Sequence, residues 1–163
     1  MRNTGITAIL VALVISGCSS ILTPTFGVRQ GQLAACPPQR DCVSTQDADS
    51  SLHIAPLDYT STRDQARNDL LIAATVVGQG RIVSNHRNYI RIEYPISDRV
   101  DHASEYYYEP ENAVDDVEFY LDPNRHVIEM RSIARLGLFD IGANRARLER
   151  IRSAFAELQQ RHN

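Results

Sequence analysis

The sequence predicts an α+β fold, in which an antiparallel sheet of about four strands is covered on one face by helices. Three patterns lead to this prediction: a helical stripe early in the domain, two alternating apolar stretches that each contain a turn, and a helical stripe at the C-terminus. An amphipathic helix and a half-apolar sheet must each bury one side, so helices packed on one sheet face are the simplest arrangement.

The first helix is predicted to begin at a capping box. The Thr62 hydroxyl can reach the first turn while Gln65 reaches back to the cap residue. Gly78 is placed to end the helix. The face between them carries the apolar residues Ala66, Leu70, Ala73, Ala74 and Val77.

Two hairpins are predicted to follow the helix. The first has a strand at residues 81–84, a polar turn at 85–88 and a strand with apolar residues at alternate positions, namely Ile90, Ile92, Tyr94 and Ile96. The second turns at residues 122–125, between the alternating set Val117, Phe119 and Leu121 and the set Ile128 and Met130. A tight turn there would place Asp116 opposite Arg131 and Glu118 opposite Glu129.

The last helix is predicted from a stripe that reaches the C-terminus, formed by Leu148, Ile151, Phe155 and Leu158. Gly137 and Gly142 allow tight backbone turns before this helix. Either Asp140 or Asn144 can cap it.

Composition narrows the class of protein but names no reaction. Hydrophobic residues make up 43% of the 163 residues and charged residues 23%, as in an ordinary globular protein. Three cysteines exclude a disulfide-dense scaffold and a zinc site with four cysteine ligands. A net charge of -3 gives no general reason to expect nucleic-acid binding.

The N-terminus has the layout of an export signal. Arg2 precedes an apolar run over residues 6–15 that is too short to span a bilayer. The following Ile15-Ser16-Gly17-Cys18 resembles a bacterial lipobox, which implies cleavage before Cys18 and lipidation of Cys18 with palmitate-type acyl chains. We therefore expect a lipoprotein signal peptide at 1–17, a lipid-anchored tether at 18–35 and a single α+β domain at 36–163. The alternatives are a plain cleaved signal or an uncleaved anchor.

Several acyl chains would hold the domain on a membrane of the bacterial cell envelope. Ser19 stands where an aspartate would favour retention at the inner membrane, so by analogy we expect the outer membrane, with the domain facing the periplasm.

The two other cysteines, Cys36 and Cys42, are expected to form a structural disulfide, as nearby cysteines of an oxidising periplasm most often do. A redox or metal role is the alternative, but the spacing is not C-x-x-C.

Charged residues concentrate before and after the second hairpin. All 17 basic residues other than histidine are arginines. Those at 131, 135, 145 and 147 offer forked donors that suit a carboxylate or phosphate, and a helix N-terminus beside them could complete an anion site. The alternative is a structural network in which these arginines neutralise Asp115, Asp116 and Glu118.

Four motifs together resemble the family called domain of unknown function 1499. They are Cys36-Pro-Pro-Gln-Arg-Asp-Cys42-Val-Ser44, His53-Ile-Ala-Pro56-Leu57, Asp115-Asp116-Val-Glu118-Phe, and the spaced set Arg131, Ser132, Arg135, Gly137, Asp140, Gly142, Asn144, Arg145 and Arg147. The resemblance implies a shared fold and no established activity. It also implies a shared polar site at Asp115, Asp116, Glu118, Arg131, Ser132, Arg135, Asp140, Asn144 and Arg145.

The chain departs from that family at two places. A longer segment, residues 97–113 with three consecutive tyrosines at 106–108, replaces the usual aromatic lead-in to the paired aspartates, and Asp41 stands where relatives commonly have asparagine. The tyrosines suggest either a contact patch for a partner or a loop on the sheet.

These observations favour a non-catalytic binding or interaction module of the envelope, whose partner is an envelope protein or a small anionic ligand. We expect no catalytic residue, cofactor, metal or nucleic acid. The alternatives are a structural lipoprotein without a ligand, or a hydrolase that uses Asp115, Asp116 and Glu118. On a strand, however, Asp115 points away from the other two carboxylates.

Overall fold

Two helices and antiparallel strands make up the part of the chain that the computed structural model describes, namely residues 24–38, 41–77, 79–96, 114–135 and 142–162. The helices are α1 (Arg63–Val76) and α2 (Ala143–Gln160). The strands are β1 (Val28–Arg29), β2 (Gln32–Leu33), β3 (Cys42–Ser44), β4 (Leu57–Asp58), β5 (Arg81–Asn85), β6 (Tyr89–Pro95), β7 (Val114–Leu121) and β8 (Val127–Ala134). The predicted α+β class is confirmed.

The main sheet contains six strands rather than about four. Its order is β3-β8-β7-β6-β5, and β4 also pairs with β8, so two short strands lie beside the expected hairpins. Both pairings with β8 are antiparallel. β3 and β4 span three and two residues, which is too short to show the alternation that indicates a strand.

The first helix forms as the sequence predicts. The Thr62 hydroxyl accepts from the Gln65 amide and the Gln65 side chain bonds back to the Thr62 amide, so the capping box is present. Ala66, Leu70 and the two alanines at 73 and 74 are buried, and α1 ends at the C-cap residue Val77. Gly78, which was expected to end the helix, lies outside the described residues.

Both hairpins are present, but the register of the second differs from the expected one. Glu118 pairs with Arg131 and Asp116 with Ile133, so each partner lies two residues beyond the one expected from a tight turn. The expected pairs Asp116–Arg131 and Glu118–Glu129 are therefore wrong. Because the shift is two residues, every side chain keeps its predicted face.

The longer turn has a local cause at Asp122. Its carboxylate accepts from the Asn124 amide at 2.8 Å and from Arg125 Nε at 2.8 Å, while its own amide donates to the Val127 carbonyl at 3.2 Å. These bonds keep Asp122 in the turn, so Leu121 and Ile128 form the last residue pair of the hairpin.

The apolar core lies between one face of the main sheet and both helices; we call this the helix face. Ile90, Phe119 and Met130 of the central strands pack there with Leu70 of α1 and Ile151 of α2, all essentially unexposed. The predicted C-terminal stripe is confirmed, since Leu148, Ile151 and Phe155 are buried and Leu158 is partly buried.

α2 begins differently from the prediction. Its N-cap is Gly142 in the left-handed region, with φ +82°, and no side chain caps the first turn. Gly142 thus makes the expected turn, because L-residues with side chains rarely adopt this conformation. Asn144 lies inside the helix and turns its amide toward the sheet, so the expectation that it caps the helix is wrong. Gly137 and Asp140 lie outside the described residues.

The opposite face of the sheet is covered by the chain that precedes the disulfide. Residues 24–33, which we call the strap, form a small β1–β2 hairpin that contacts β7 and β8. The strap lies within the range expected to be a tether, so residues 24–33 correct that expectation: they are folded onto the domain. We call the sheet surface beneath them the strap face.

The expected disulfide is present. Cys36 and Cys42 are bonded, with Cα atoms 5.6 Å apart, and β3 begins at Cys42. The bond therefore fixes the end of the segment that follows the strap to an edge strand of the main sheet.

Candidate functional site

Strand alternation divides the predicted polar site into two clusters on opposite faces of the sheet. Asp115 and Ser132 lie on the helix face, where Asn144 and Arg147 of α2 meet them. On the strap face lie the other charged residues of β7 and β8 that were expected in the site, namely Asp116, Glu118, Arg131 and Arg135. The described residues of the predicted site therefore do not form a single cluster.

The helix-face cluster is centred on the Arg147 guanidinium. Its Nη2 donates to Asp115 Oδ2 at 2.6 Å, and its Nη1 donates to Asn144 Oδ1 at 3.0 Å and to Ser132 Oγ at 3.3 Å. The guanidinium carbon also lies 5.0 Å from the centre of the Tyr94 ring. All of these side chains are buried, so the cluster links α2 to β6, β7 and β8 from inside the core.

Further hydrogen bonds bind this cluster to its surroundings. The Ser132 hydroxyl donates to Asn144 Oδ1, and Asn144 Nδ2 donates to the Asp41 carbonyl at 3.1 Å. The Tyr94 hydroxyl donates to the Ala74 carbonyl of α1. A charge held in this way in the interior fixes the positions of both helices on the sheet.

The strap-face cluster contains a two-point pair between Arg135 and Asp116. Arg135 Nε and Nη2 donate to the two carboxylate oxygens at 2.9 and 2.8 Å, and Nη2 also donates to Glu93. Arg81 pairs with Glu93 from β5, and Arg91 lies 3.6 Å from Asp116. The hydrogen bonds that Arg135 donates to Asp116 raise the pKa of Arg135 above its ordinary value, so this guanidinium stays charged.

Glu93 is held as an anion by these arginines. Burial alone would raise its pKa, but the hydrogen bond and charge of Arg135, with the charges of Arg81 and Arg91, lower the pKa below its ordinary 4.5. A general acid needs the opposite shift, because it must keep its proton near neutral pH. Glu93 is therefore unsuited to donate a proton in catalysis.

The second part of the strap-face cluster is the Glu118–Arg131 pair, in which both side chains are completely buried. Arg131 Nη1 lies 2.5 Å from Glu118 Oε2. The other oxygen, Oε1, accepts from the Tyr89 hydroxyl at 2.7 Å and from the Gly27 amide of the strap at 2.6 Å. Burial and the Glu118 carboxylate raise the pKa of Tyr89, which therefore remains a hydroxyl donor.

Three consecutive strap residues close this cluster. The Thr25 carbonyl accepts from Arg131 Nη1 at 3.0 Å, and the Gly27 amide donates to Glu118. Between them, the Phe26 ring lies beneath the Arg91 guanidinium, 4.3 Å from centroid to carbon. The strap thus supplies one acceptor, one donor and one aromatic face to residues of three adjacent strands.

One further predicted residue that the structure describes, Arg145, belongs to neither cluster. Arg145 donates to the Ser51 and His53 carbonyls at 2.8 and 2.9 Å and so fastens a loop to α2. Asp140 lies outside the described residues, as do residues 97–113 with their three tyrosines.

Sequence reasoning missed the contribution of β6 and of the strap. Glu93 and Arg91 alternate with the apolar residues that predicted β6, so they lie on the face opposite Ile92 and could have been assigned to the charged cluster. The strap gave no comparable signal, because its bonds to Arg131 and Glu118 come from its backbone.

The positions of Asp115 and Asp116 argue against a hydrolase that uses both carboxylates. Asp115 and Asp116 point to opposite faces, so the two carboxylates cannot act together on one bond. Among the described residues, no group of three or more histidine, cysteine, aspartate and glutamate side chains is arranged to hold a metal ion. The arrangement can bind a carboxylate through its guanidinium groups, because those groups already bind the carboxylates of the protein itself.

The two helices, the six-stranded sheet and the buried arginine clusters define an α+β domain whose charged sheet face is closed by its own N-terminal segment. A family model described as protein of unknown function (DUF1499) matches residues 32–155, which is most of the chain. The chain therefore belongs to this family, as its motifs predicted. No curated protein and no solved structure matches it significantly.

Within the described parts of the chain, neither helix is long and apolar enough to cross a membrane.

Proposed function

We propose that this protein is a lipid-anchored, non-catalytic binding module of a bacterial cell envelope, attached through Cys18 and facing the periplasm from the outer membrane. The observation that carries the proposal is the strap. The chain that follows the lipobox-like Ile15-Ser16-Gly17-Cys18 reaches the charged sheet face at Thr25, whose carbonyl accepts from Arg131. Thr25 follows Cys18 by seven positions in the sequence, so the chain between them spans at most about 25 Å even when fully extended. An acylated Cys18 would thus keep the strap face close to the membrane.

Two further observations support this proposal. A disulfide between Cys36 and Cys42 suits an oxidising compartment such as the periplasm. The buried carboxylates accept hydrogen bonds from arginines, which favours a recognition or scaffold role over proton transfer.

A structural lipoprotein without a ligand is the second candidate. It is favoured by the helix-face cluster, in which Asp115, Ser132 and Asn144 all hydrogen-bond to the Arg147 guanidinium, although Arg147 Nε has no acceptor among the described residues. The two candidates differ in whether the protein carries a bound molecule when it leaves its own membrane.

The anchoring is tested by membrane fractionation and mass spectrometry of the full-length protein. We expect the mature chain to begin at an acylated Cys18 and to sediment with outer membranes. Cys18→Ala should release it or leave the signal uncleaved, whereas Ser19→Ala, a matched change next to it, should leave it in place. Ser19→Asp should shift it to the inner membrane. An unmodified Cys18 in a correctly exported protein would contradict the proposal.

The binding role is tested by native mass spectrometry of the protein extracted from its own membrane. A reproducible additional small mass, or a defined protein partner, would support a binding module. A bare protein would favour the structural candidate.

A further inference from the structure

Arg131 has one edge of its guanidinium unused. The Arg131 side chain is fully buried, and both hydrogen bonds that it makes come from Nη1, which donates to Glu118 and to the Thr25 carbonyl. Its Nε and Nη2 are also buried, and no protein group in the described part of the chain accepts from them. Buried donors are almost always bonded, because an unmade bond costs the full desolvation of the group.

The unused Nε and Nη2 form the edge through which the side of an arginine guanidinium can bind an oxyanion. Arg135, four residues further along and on the same face, uses its own Nε and Nη2 to hold both oxygens of Asp116. Two parallel N–H groups match the two oxygens of a carboxylate or phosphate. In Arg135 this pair of donors is bonded to a carboxylate, whereas in Arg131 the same pair has no acceptor among the described residues.

The acidic neighbour on the strap face is already engaged elsewhere. Glu129, two residues before Arg131 on β8, accepts from Arg125 Nη2 and from the Thr45 hydroxyl, each at 2.5 Å. Ser44, the direct cross-strand neighbour of Arg131 on β3, accepts from the Gln46 amide at 3.2 Å and is 3% exposed. Because a hydroxyl that accepts one bond can still donate another, Ser44 can add a donor beside the fork.

We propose that the Nε–Nη2 edge of Arg131 binds the carboxylate or other small oxyanion of a ligand, and that the strap is the lid of this site. The inference rests on the proposed binding function, for which it names the ligand class and the residue. Entry requires the strap to move, because its backbone covers both Arg131 and Glu118 through Thr25 and Gly27.

Gly27 provides a way to loosen the lid without changing a charged side chain of the site. It has φ +101°, a conformation that strains any residue with a side chain, and an added Cβ would meet nothing within 4 Å. Gly27→Ala therefore weakens the docked strap through its backbone alone. Since the docked strap opposes ligand entry, we expect this variant to bind an oxyanion about tenfold more tightly.

The test uses the full-length protein in detergent micelles, whether or not Cys18 carries acyl chains, with acetate or phosphate added against chloride at equal ionic strength. The readout is the ¹⁵N–¹H resonance of each arginine Nε–H group, assigned through the side-chain carbons. We expect a saturable shift at Arg131 and none at Arg135, whose Nε is already bonded to Asp116. Arg131→Lys keeps the charge but removes the fork and its Nε–H probe, so its binding is followed at the backbone amides of β8 in both proteins and should be weaker by about tenfold to a hundredfold.

Each outcome decides the proposal. A response to acetate alone assigns a carboxylate ligand, to phosphate alone a phosphate group, and to both a general oxyanion site. An equal response to chloride, or no saturable shift in either the wild type or Gly27→Ala, would overturn the proposal even if Arg131→Lys does not fold. Because Cys18 acylation is measured separately, failure here leaves the anchoring intact, and failure of anchoring leaves this site intact.

Discussion

Asp115→Asn should destabilise the protein strongly, because it removes the carboxylate charge that accepts from the buried Arg147 guanidinium. The two side chains are 0% and 2% exposed and their bonded atoms lie 2.6 Å apart. Removing one partner of a buried ion pair typically costs about 3–5 kcal/mol, since the other charge stays in a medium of low dielectric constant. Ser132 and Asn144 keep their bonds to Arg147 but are neutral, so we expect the lower end, about 3 kcal/mol.

Urea unfolding of the disulfide-bonded protein measures this loss. With a slope of about 1–3 kcal/mol/M, a loss of about 3 kcal/mol lowers the unfolding midpoint by about 1–3 M. The double variant Asp115→Asn/Arg147→Met removes both charges, so it should be more stable than the sum of the two single losses indicates.

Glu149→Gln is the matched control, because it also removes a carboxylate that an arginine contacts. Glu149 is 51% exposed and accepts from Arg152 Nε at 3.0 Å. An exposed pair is worth at most about 1 kcal/mol, so the midpoint should hardly move. If Asp115→Asn and Glu149→Gln shift the midpoint equally, the reasoning that the helix-face cluster depends on a buried charge is refuted.

Three other predictions concern the rest of the fold. The pKa of Glu93 is lower in the folded protein than its ordinary 4.5, so its contribution to stability is full above pH 4.5 and is lost as the pH falls through the folded pKa. Glu93→Gln should therefore make the free energy of unfolding, measured with urea at several pH values, fall less steeply at acid pH. Gly80→Ala should cost about 1–3 kcal/mol in urea unfolding, because the added Cβ would lie 2.4 Å from Ile92 Cγ2 in the core. Cys36→Ser should cost about 2 kcal/mol, since the bond to Cys42 closes a short loop with a sequence separation of six.

Each of these has a result that would count against it. A stability that falls equally with pH in the wild type and Glu93→Gln would mean that other groups dominate the acid limb. An unchanged midpoint in Gly80→Ala would mean that the backbone shifts freely there. Dithiothreitol should lower the melting temperature of the wild type but not that of Cys36→Ser, and an equal drop in both would exclude the disulfide as its cause.

The elements with a strong apolar period were predictable from sequence. The apolar face of α1 around Leu70, the alternation in β6 and β7 and the C-terminal stripe around Ile151 each bury one side against the same core. Period and burial are linked directly in such elements, so the pattern carries the structure. β3 and β4 are too short to have a period, and they exist because β8 offers them an edge.

The charged site was predictable in composition but not in assembly. Asp116, Glu118, Arg131 and Arg135 were identified as residues, and the alternation placed them on one face. Their pairing depends on the register, which the bonds of Asp122 within its turn set two residues away from the tight-turn expectation.

The two clusters stabilise their buried charges in different ways. On the helix face, the side chains of α2 and the sheet bond one another within the core. On the strap face, part of the bonding comes from the backbone of Thr25 and Gly27, which no substitution at Thr25 removes. Only a change in backbone conformation can therefore open that face. The unused edge of Arg131 lies on this side, where a change of conformation short of unfolding can expose it, and this favours the strap face over the helix face as the place for the ligand that we propose.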